Sequence, residues 1–359
     1  MAVLLAIGTR KGLWLATSNE DRTTWELSAP HHAMSEVYAV AVDTRGSVPR
    51  VLAGVSSLHW GPSVCTSDDF GKTWQEPEQA PLAFPEDTEA SLERVWQLVP
   101  GVEPEVVYAG VEPTALFKSS DGGRSFEFVR GLWDHPHRPE WEPGGGGKAL
   151  HTVLPHPSDA RRAVVAMSTG GVYQTEDGGD SWRPSNLGIV ADFLPGDRPE
   201  FGQCVHKVAR NPAQPDHLYL QNHGGVYRST DGAANWESIA DGLPADFGFP
   251  MVTHPHRPGV IYNFPLSADV NRFPPDGRCR VYRSEDGGDS WAALTDGLPQ
   301  QGFFSSVLRD AMCADDADPA GVYFGSRTGE VFASNDEGDH WRPVVSHLPD
   351  VLCVRAAVI

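Results

Sequence analysis

Three histidines carry the clearest chemical signal in this 359-residue sequence. His151 and His206 hold the same place in two short runs, Leu150-His151-Thr152-Val153 and Val205-His206-Lys207-Val208, and His223 lies a loop beyond the second. His59 sits in the corresponding loop of an earlier segment. Imidazole titrates near neutral pH and binds transition metals through a ring nitrogen. If the fold brings them together, His151, His206 and His223 can divide acid–base work or ligate a divalent transition metal. A set of hydrogen-bonded packing histidines is the plainer alternative.

Other polar groups fall near the same places. Glu93 precedes the run Val95-Trp96-Gln97-Leu98, and Glu112 lies in a loop shortly after it. Gln203, Gln221 and Asn222 flank the histidines. Arg10, Arg272 and Arg327 fall on loops, and Arg309 within an apolar run. A guanidinium presents a planar fork that matches carboxylate, phosphate or sulfate. These residues predict a pocket for a small polar or anionic ligand or a glycan. Its expected substrate-binding residues are Arg10, Glu93, Glu112, Gln203, Gln221, Asn222, Arg272 and Arg309. Trp60, Trp133 and Trp141 either stack on sugar rings or anchor loops. Gly144-Gly145-Gly146-Gly147-Lys148 mimics a phosphate loop, but Ala149 stands where Ser or Thr is required. Neither HExxH nor GxSxG occurs.

The elements that must position these groups are written in a repeat. Ser284-Glu285-Asp286-Gly287-Gly288-Asp289-Ser290-Trp291 has close copies beginning at Ser67, Ser119 and Thr175, and looser ones at Ser18, Ser229 and Ser334. Their starts are 49 to 56 residues apart, a period that marks a repeat architecture. Asp binds nearby backbone N–H groups and Gly accepts positive φ, so each copy reads as a hairpin tip closed by an aromatic ring. Seven separated turns cannot share one active site, which makes them scaffold. Between them run short β-branched and aromatic segments in the order A, B, C, turn, D, with Ser306-Val307-Leu308-Arg309 as strand A of the seventh unit.

The first unit lacks a strand A, while Val351-Leu352-Cys353-Val354-Arg355-Ala356-Ala357 at the end of the chain is a strand A with no successor. The tail then completes the head and leaves no sheet edge open. The predicted fold is all-β: a seven-bladed β-propeller of four-stranded antiparallel blades, one domain over residues 1–359, with blade 1 formed by 1–28 plus 351–359. The box turns and A-to-B turns share one face. The long insertions 77–93, 130–148, 185–202 and 266–277 share the other, where the ligand site is expected.

A formal charge of −20 argues against nucleic-acid and anionic-membrane partners. No run of about 18 apolar residues occurs, and Met1 to Ile7 reads as a first strand, not a signal peptide. Five widely spaced cysteines without a CxxC pair read as reduced thiols, and a cytoplasmic location is expected. Asp315-Asp316-Ala317-Asp318 reads as a solvated acidic tip.

The boxes resemble the BNR or Asp-box family, found in sialidases, xyloglucan-degrading hydrolases, sortilin-type receptors and photosystem II assembly factors. Gly8-Thr9-Arg10-Lys11-Gly12-Leu13 and Gln221-Asn222-His223-Gly224-Gly225-Val226-Tyr227 further resemble bacterial BNR proteins described as sialidase-like or glycosyl hydrolase-like. The resemblance implies a propeller and, with the polar residues above, a hydrolase or lyase acting on a sugar or small anion. A non-enzymatic scaffold with a protein partner, as in the assembly factors, is the alternative. The Phe-Arg-Ile-Pro segment typical of sialidases is missing, so authentic exo-sialidase activity is not expected.

Overall fold

A computed structural model describes residues 1–359 apart from 47–48, 76, 78, 195, 197 and 268–270. Parts of the expected loops 77–93, 185–202 and 266–277 therefore lie outside the described residues. Seven antiparallel sheets follow one another around a ring. Blade 1 runs Val351–Val358, Val3–Thr9, Gly12–Ser18 and Trp25–Leu27 from the axis outward. The last strand of the chain thus supplies the innermost strand of the first blade, as the missing strand A requires. Blades 3 to 7 each have four strands, and their innermost strands are Arg94–Pro100, Leu150–His156, Val205–Arg210, Phe247–Thr253 and Met312–Ala314. Blade 2 comprises Glu36–Asp43, Arg50–Ser57 and Gly61–Ser67, with an antiparallel bridge from Thr66 to Gln75 where the others place a fourth strand.

Apolar side chains fill the spaces between blades. Tyr173, Tyr219, Tyr262 and Tyr323, from four successive blades, are among the largest fully buried side chains. The phenol of Tyr262 donates to the Glu337 carbonyl of the next blade at 2.9 Å, so burial of the ring leaves its hydroxyl paired.

The repeated turn is built as its residue types predict. The Ser284 hydroxyl donates to Asp286 Oδ1 at 2.7 Å and accepts the Gly288 N–H at 2.7 Å. Asp286 then accepts the N–H and hydroxyl of Ser290 at 2.9 and 2.6 Å. The same bonds recur in the turns opened by Ser67, Ser119, Thr175, Ser229 and Ser334, where Asn235 and His340 replace the closing hydroxyl. In blade 1, Arg22 occupies the glycine position at φ 55°. Its guanidinium reaches Asp315 of blade 7 at 3.1 Å. Asp315 is buried, accepts the Tyr323 hydroxyl at 2.7 Å, and is an anchor between blades, not the solvated tip expected.

These bonds favour the charged carboxylate. The Thr73 hydroxyl and amide hold Asp69 at about 2, and the Ser290 hydroxyl holds Asp286 at about 2. A carboxylate depressed in the folded state stabilises above its unfolded value of about 4, and that contribution disappears as pH falls through the folded value. The thermal midpoint is therefore expected to be level from pH 7 to about 5 and to fall steeply between about pH 4 and 2. Differential scanning fluorimetry across this range checks it, and Asp286→Asn should blunt the fall.

A second recurring irregularity positions the chemistry. The innermost strand gains one residue over its neighbour between Val37 and Ala39, Val95 and Gln97, Leu150 and Thr152, and Val205 and Lys207. The extra residues are Tyr38, Trp96, His151 and His206. Similar register shifts enclose Phe249 in blade 6 and Leu352 in blade 1. A β-bulge bends its strand and re-aims the side chain it carries. Except for His151, all of these residues line one cavity. Blade 7 departs from expectation: residues 303–308 are irregular, Asp310 makes a parallel bridge to Cys353, and the strand itself is Met312–Ala314.

Candidate functional site

A cavity of about 610 Å³ opens on the face bearing the B-to-C and D-to-A loops, and every blade contributes to its wall. Arg10, Arg94, Arg272, Arg309 and Arg327 give it five guanidinium groups. Trp96, Tyr38, Phe249 and Phe193 supply aromatic surface. Trp96 meets Tyr38 edge to face at 5.0 Å, and the guanidiniums of Arg94 and Arg309 each lie 5.2 Å from its ring. Apolar platforms beside fixed cations suit a ring-bearing anion.

The arginines differ in how their charge is matched. Arg10 pairs with Glu36 at 2.6 Å and Asp350 at 3.2 Å, and Arg327 shares Asp350 at 2.8 Å. Arg94 pairs with Glu112 at 2.7 Å. Arg309 makes no ion pair among the described residues, and its Nε is buried without a hydrogen-bond partner. Burial pushes the Arg309 guanidinium below its ordinary value, against the pull of Asp310. Carrying an unmatched charge costs stability.

Glu112 is one of two carboxylates in the cavity wall among the described residues. Its Oε2 accepts from Arg94 and from the Trp96 indole N–H at 3.0 Å, which orients the group. Its Oε1 faces Gly147, where a Cβ would lie 1.8 Å away, so the glycine-rich loop can close over the carboxylate only without a side chain. The other acid in the wall, Asp310, is engaged by Lys207 at 2.8 Å and by Arg355. Burial works to raise the Asp310 carboxyl, but the two cations outweigh it and hold it well below the usual range.

The expected histidine trio is divided. His206 and His223 line the cavity with rings 5.6 Å apart. His151 does not. It is fully buried, and its Nε2 lies 2.9 Å from the Val205 carbonyl, which can only accept. Nε2 therefore carries the proton, and the Nδ1 lone pair is taken by the Thr152 hydroxyl at 3.1 Å. No lone pair is left for a metal or for a substrate proton. Burial holds His151 well below its ordinary value and His206 at about 3, with Arg309 adding to both shifts.

Among the expected substrate-binding residues, Arg10, Glu112, Arg272 and Arg309 meet at the cavity, whereas Glu93, Gln203, Gln221 and Asn222 do not. Gln203 donates to the Pro199 carbonyl, Gln221 to the Asp246 carbonyl, and Asn222 to the Val190 carbonyl, all within 2.9 Å. They are fully buried loop anchors, and Glu93 is exposed outside the wall. Trp133 and Trp141 are buried as well, which leaves them no face for a sugar. Sequence reasoning passed over Tyr38, Trp96, Arg94 and Cys204. The signal was the shared register: Tyr38, Trp96, His151 and His206 all stand second in runs such as Val37-Tyr38-Ala39-Val40.

Fold and cavity define a seven-bladed β-propeller with an arginine-rich, aromatic cavity at one mouth of its channel. No protein-family model matches the chain. It is similar to a Paenibacillus xyloglucanase, 22% identical over 206 residues, covering 52% of this chain and 18% of that protein. It is also similar to a probable oligoxyloglucan-reducing end-specific xyloglucanase of Neosartorya fischeri, 26% identical over 203 residues, covering 55% of this chain and 22% of that protein. The chain thus matches only about a fifth of the length of these curated relatives. Among solved structures it is similar to an ancestral GH74 enzyme, with TM-score 0.56 and 18% identity over 86% of this chain and 38% of that one. The YCF48 protein of Cyanidioschyzon merolae gives TM-score 0.55 and 14% identity over 86% of this chain and 84% of its own. At these identities the structures share the propeller fold.

Proposed function

We propose that this propeller is a sugar-acting enzyme of hydrolase or lyase type whose substrate carries an anionic group. The observation that carries the reading is Arg309, a guanidinium without an ion-pair partner among the described residues, set beside the Trp96 ring in a cavity with four other arginines. The similarity to xyloglucanases supports a glycan as the ligand class. The arginines favour an acidic glycan over a neutral one, because a neutral chain offers them no counter-charge.

The groups available favour elimination over hydrolysis. Glycoside hydrolysis generally uses two carboxyl groups flanking the bond. Asp310 takes two cations, Lys207 and Arg355, on Oδ1 and its Oδ2 is buried, whereas Glu112 takes one cation, on Oε2. Elimination from a uronate needs one base to remove the proton α to the carboxylate and cations to neutralise the charge that develops. In this reading Arg309 and Arg272 bind the carboxylate, Trp96 carries the sugar ring, and Glu112 Oε1 takes the α proton; the C–O bond β to the carboxylate then breaks as the carbon–carbon double bond forms, and the departing sugar oxygen takes a proton from solvent.

Incubation with a panel of uronate-containing oligosaccharides tests the proposal. Elimination gives a product with a new carbon–carbon double bond that absorbs in the ultraviolet, whereas hydrolysis gives reducing ends alone. Glu112→Gln, which keeps the hydrogen bonds from Arg94 and Trp96, is expected to lower turnover about 10²- to 10⁴-fold with little change in KM. Retention of full turnover in that variant, or an absence of binding to every acidic oligosaccharide, would overturn the assignment.

A further inference from the structure

We propose that Cys204, His206 and His223 form a binding site for one divalent transition metal ion, zinc by preference, with a fourth coordination position open to the cavity. The inference stands on its own geometry and is independent of the sugar reading. The three candidate ligand atoms lie within 4.8 Å of one another. Cys204 Sγ and His206 Nε2 are 3.7 Å apart. A tetrahedral zinc with bonds of about 2.3 Å to sulfur and about 2.0 Å to nitrogen places two such ligands about 3.5 Å apart. That edge of the tetrahedron is nearly formed already.

The backbone explains how the cluster arises. Val205 pairs with Asn222 across the first two strands of blade 5, and the next pair outward is Cys204 with His223, joined by the His223 N–H to the Cys204 carbonyl at 2.9 Å. His206 stands two residues after Cys204, on the same side of an extended chain, and as the bulged residue its ring is re-aimed at the cavity. The His206 Nδ1 lies 2.5 Å from the Gly248 carbonyl. A carbonyl only accepts, so Nδ1 carries the proton and the Nε2 lone pair points at the Cys204 sulfur. An imidazole whose far nitrogen donates to a carbonyl is the usual second shell of a metal-bound histidine.

Aromatic walls hold both rings. Phe249 lies 4.9 Å from His206, and Phe247 lies 5.2 Å from His223. One thiolate and two imidazoles form a soft, nitrogen-rich set that suits zinc and excludes calcium and magnesium. Three protein ligands among the described residues, set on a cavity wall, match the arrangement of catalytic rather than structural zinc sites. The nearby Arg272 and Arg309 disfavour a bare cation but favour one whose fourth ligand is an anion. Ion and anion would therefore reinforce each other in this cavity.

Cobalt(II) titration of protein purified through a histidine-free tag and stripped with chelator tests the site. One cobalt per chain is expected, with tetrahedral ligand-field bands and a thiolate-to-metal charge-transfer band. Cys204→Ser should abolish the charge-transfer band, and His223→Ala, at a half-exposed loop position, should weaken binding by more than about 100-fold. His151→Asn should leave the spectrum intact, since His151 already spends both nitrogens. Any variant that fails to fold is replaced in the comparison by His223→Ala, checked for an unchanged apo thermal midpoint. Failure to saturate at one ion per chain, or a charge-transfer band that survives Cys204→Ser, would overturn the proposal.

Discussion

Asp310→Ala is expected to destabilise the protein by about 3–5 kcal/mol, read as a shift of the urea unfolding transition. Asp310 is 3% exposed and sits where three blades meet. It pairs with Lys207 of blade 5 and with Arg355, which lies on the strand that closes the ring. Its backbone carbonyl accepts the Val354 N–H at 2.8 Å and Arg355 Nη1 at 3.0 Å. Removing the carboxylate leaves two largely buried cations beside each other without their counter-charge. A buried pair often breaks even against apolar residues of similar volume, whereas an orphaned charge does not. The triple variant Lys207→Met/Asp310→Leu/Arg355→Met should therefore recover much of the loss, because it leaves neither cation without its partner. A single variant as stable as the parent would show that the cations find other partners.

The legible part of this molecule was its local chemistry. A Ser or Thr hydroxyl, an Asp and a Gly at fixed spacing specify a turn through bonds within eight residues, so the turns counted the blades. Ring closure was legible for a similar reason: a first unit without an inner strand and a last strand without a partner leave one pairing. Blade 7 was not, because Ser306-Val307-Leu308-Arg309 reads as a strand by composition. Its Arg309 instead points into the cavity, and the strand begins at Met312. Asp315 was misread because its cationic partner, Arg22, comes from the first blade, 293 residues away, and its phenol partner, Tyr323, from the neighbouring strand.

The site was half legible. Arg10, Arg272, Arg327 and Glu112 announced themselves by type and by the loops expected to carry them, and Arg309 by type alone, while Arg94 was passed over. His151 and His206 occupy equivalent bulges and cannot be told apart by register. What separates them is one acceptor each: Val205 O draws His151 Nε2 into the sheet, while Gly248 O takes His206 Nδ1 and leaves Nε2 facing the cavity. Cys204 was hidden for the opposite reason. An isolated cysteine is most often buried packing, and only the backbone pairing with His223 and the bulge at His206 give it partners.

Arg309→Ala is expected to weaken binding of an acidic sugar by roughly 10- to 150-fold, the equivalent of the about 1.5–3 kcal/mol that a hydrogen bond to a charged group contributes. Isothermal titration calorimetry would measure it. The size follows from what Arg309 lacks. Arg10 and Arg327 share Asp350, and Arg94 is tied to Glu112, so each must divide its donors between an internal partner and a ligand. Arg309 has no such ion-pair partner among the described residues, and its buried Nε is already desolvated. A ligand carboxylate therefore gains a charge-assisted pair without displacing one. Arg309→Lys should restore only part of the affinity, because an ammonium keeps the charge and loses the fork and the contact with Trp96. Arg10→Ala, by contrast, should cost less than Arg309→Ala, since its guanidinium is 44% exposed and doubly paired. The unliganded Arg309→Met variant should be at least as stable as the parent, because it removes a buried, unpartnered Nε and breaks no ion pair among the described residues. Loss of affinity with a gain or no change in stability separates a binding residue from a structural one. A large drop in stability with unchanged affinity would assign Arg309 to the wall and leave the anion site to the other four arginines.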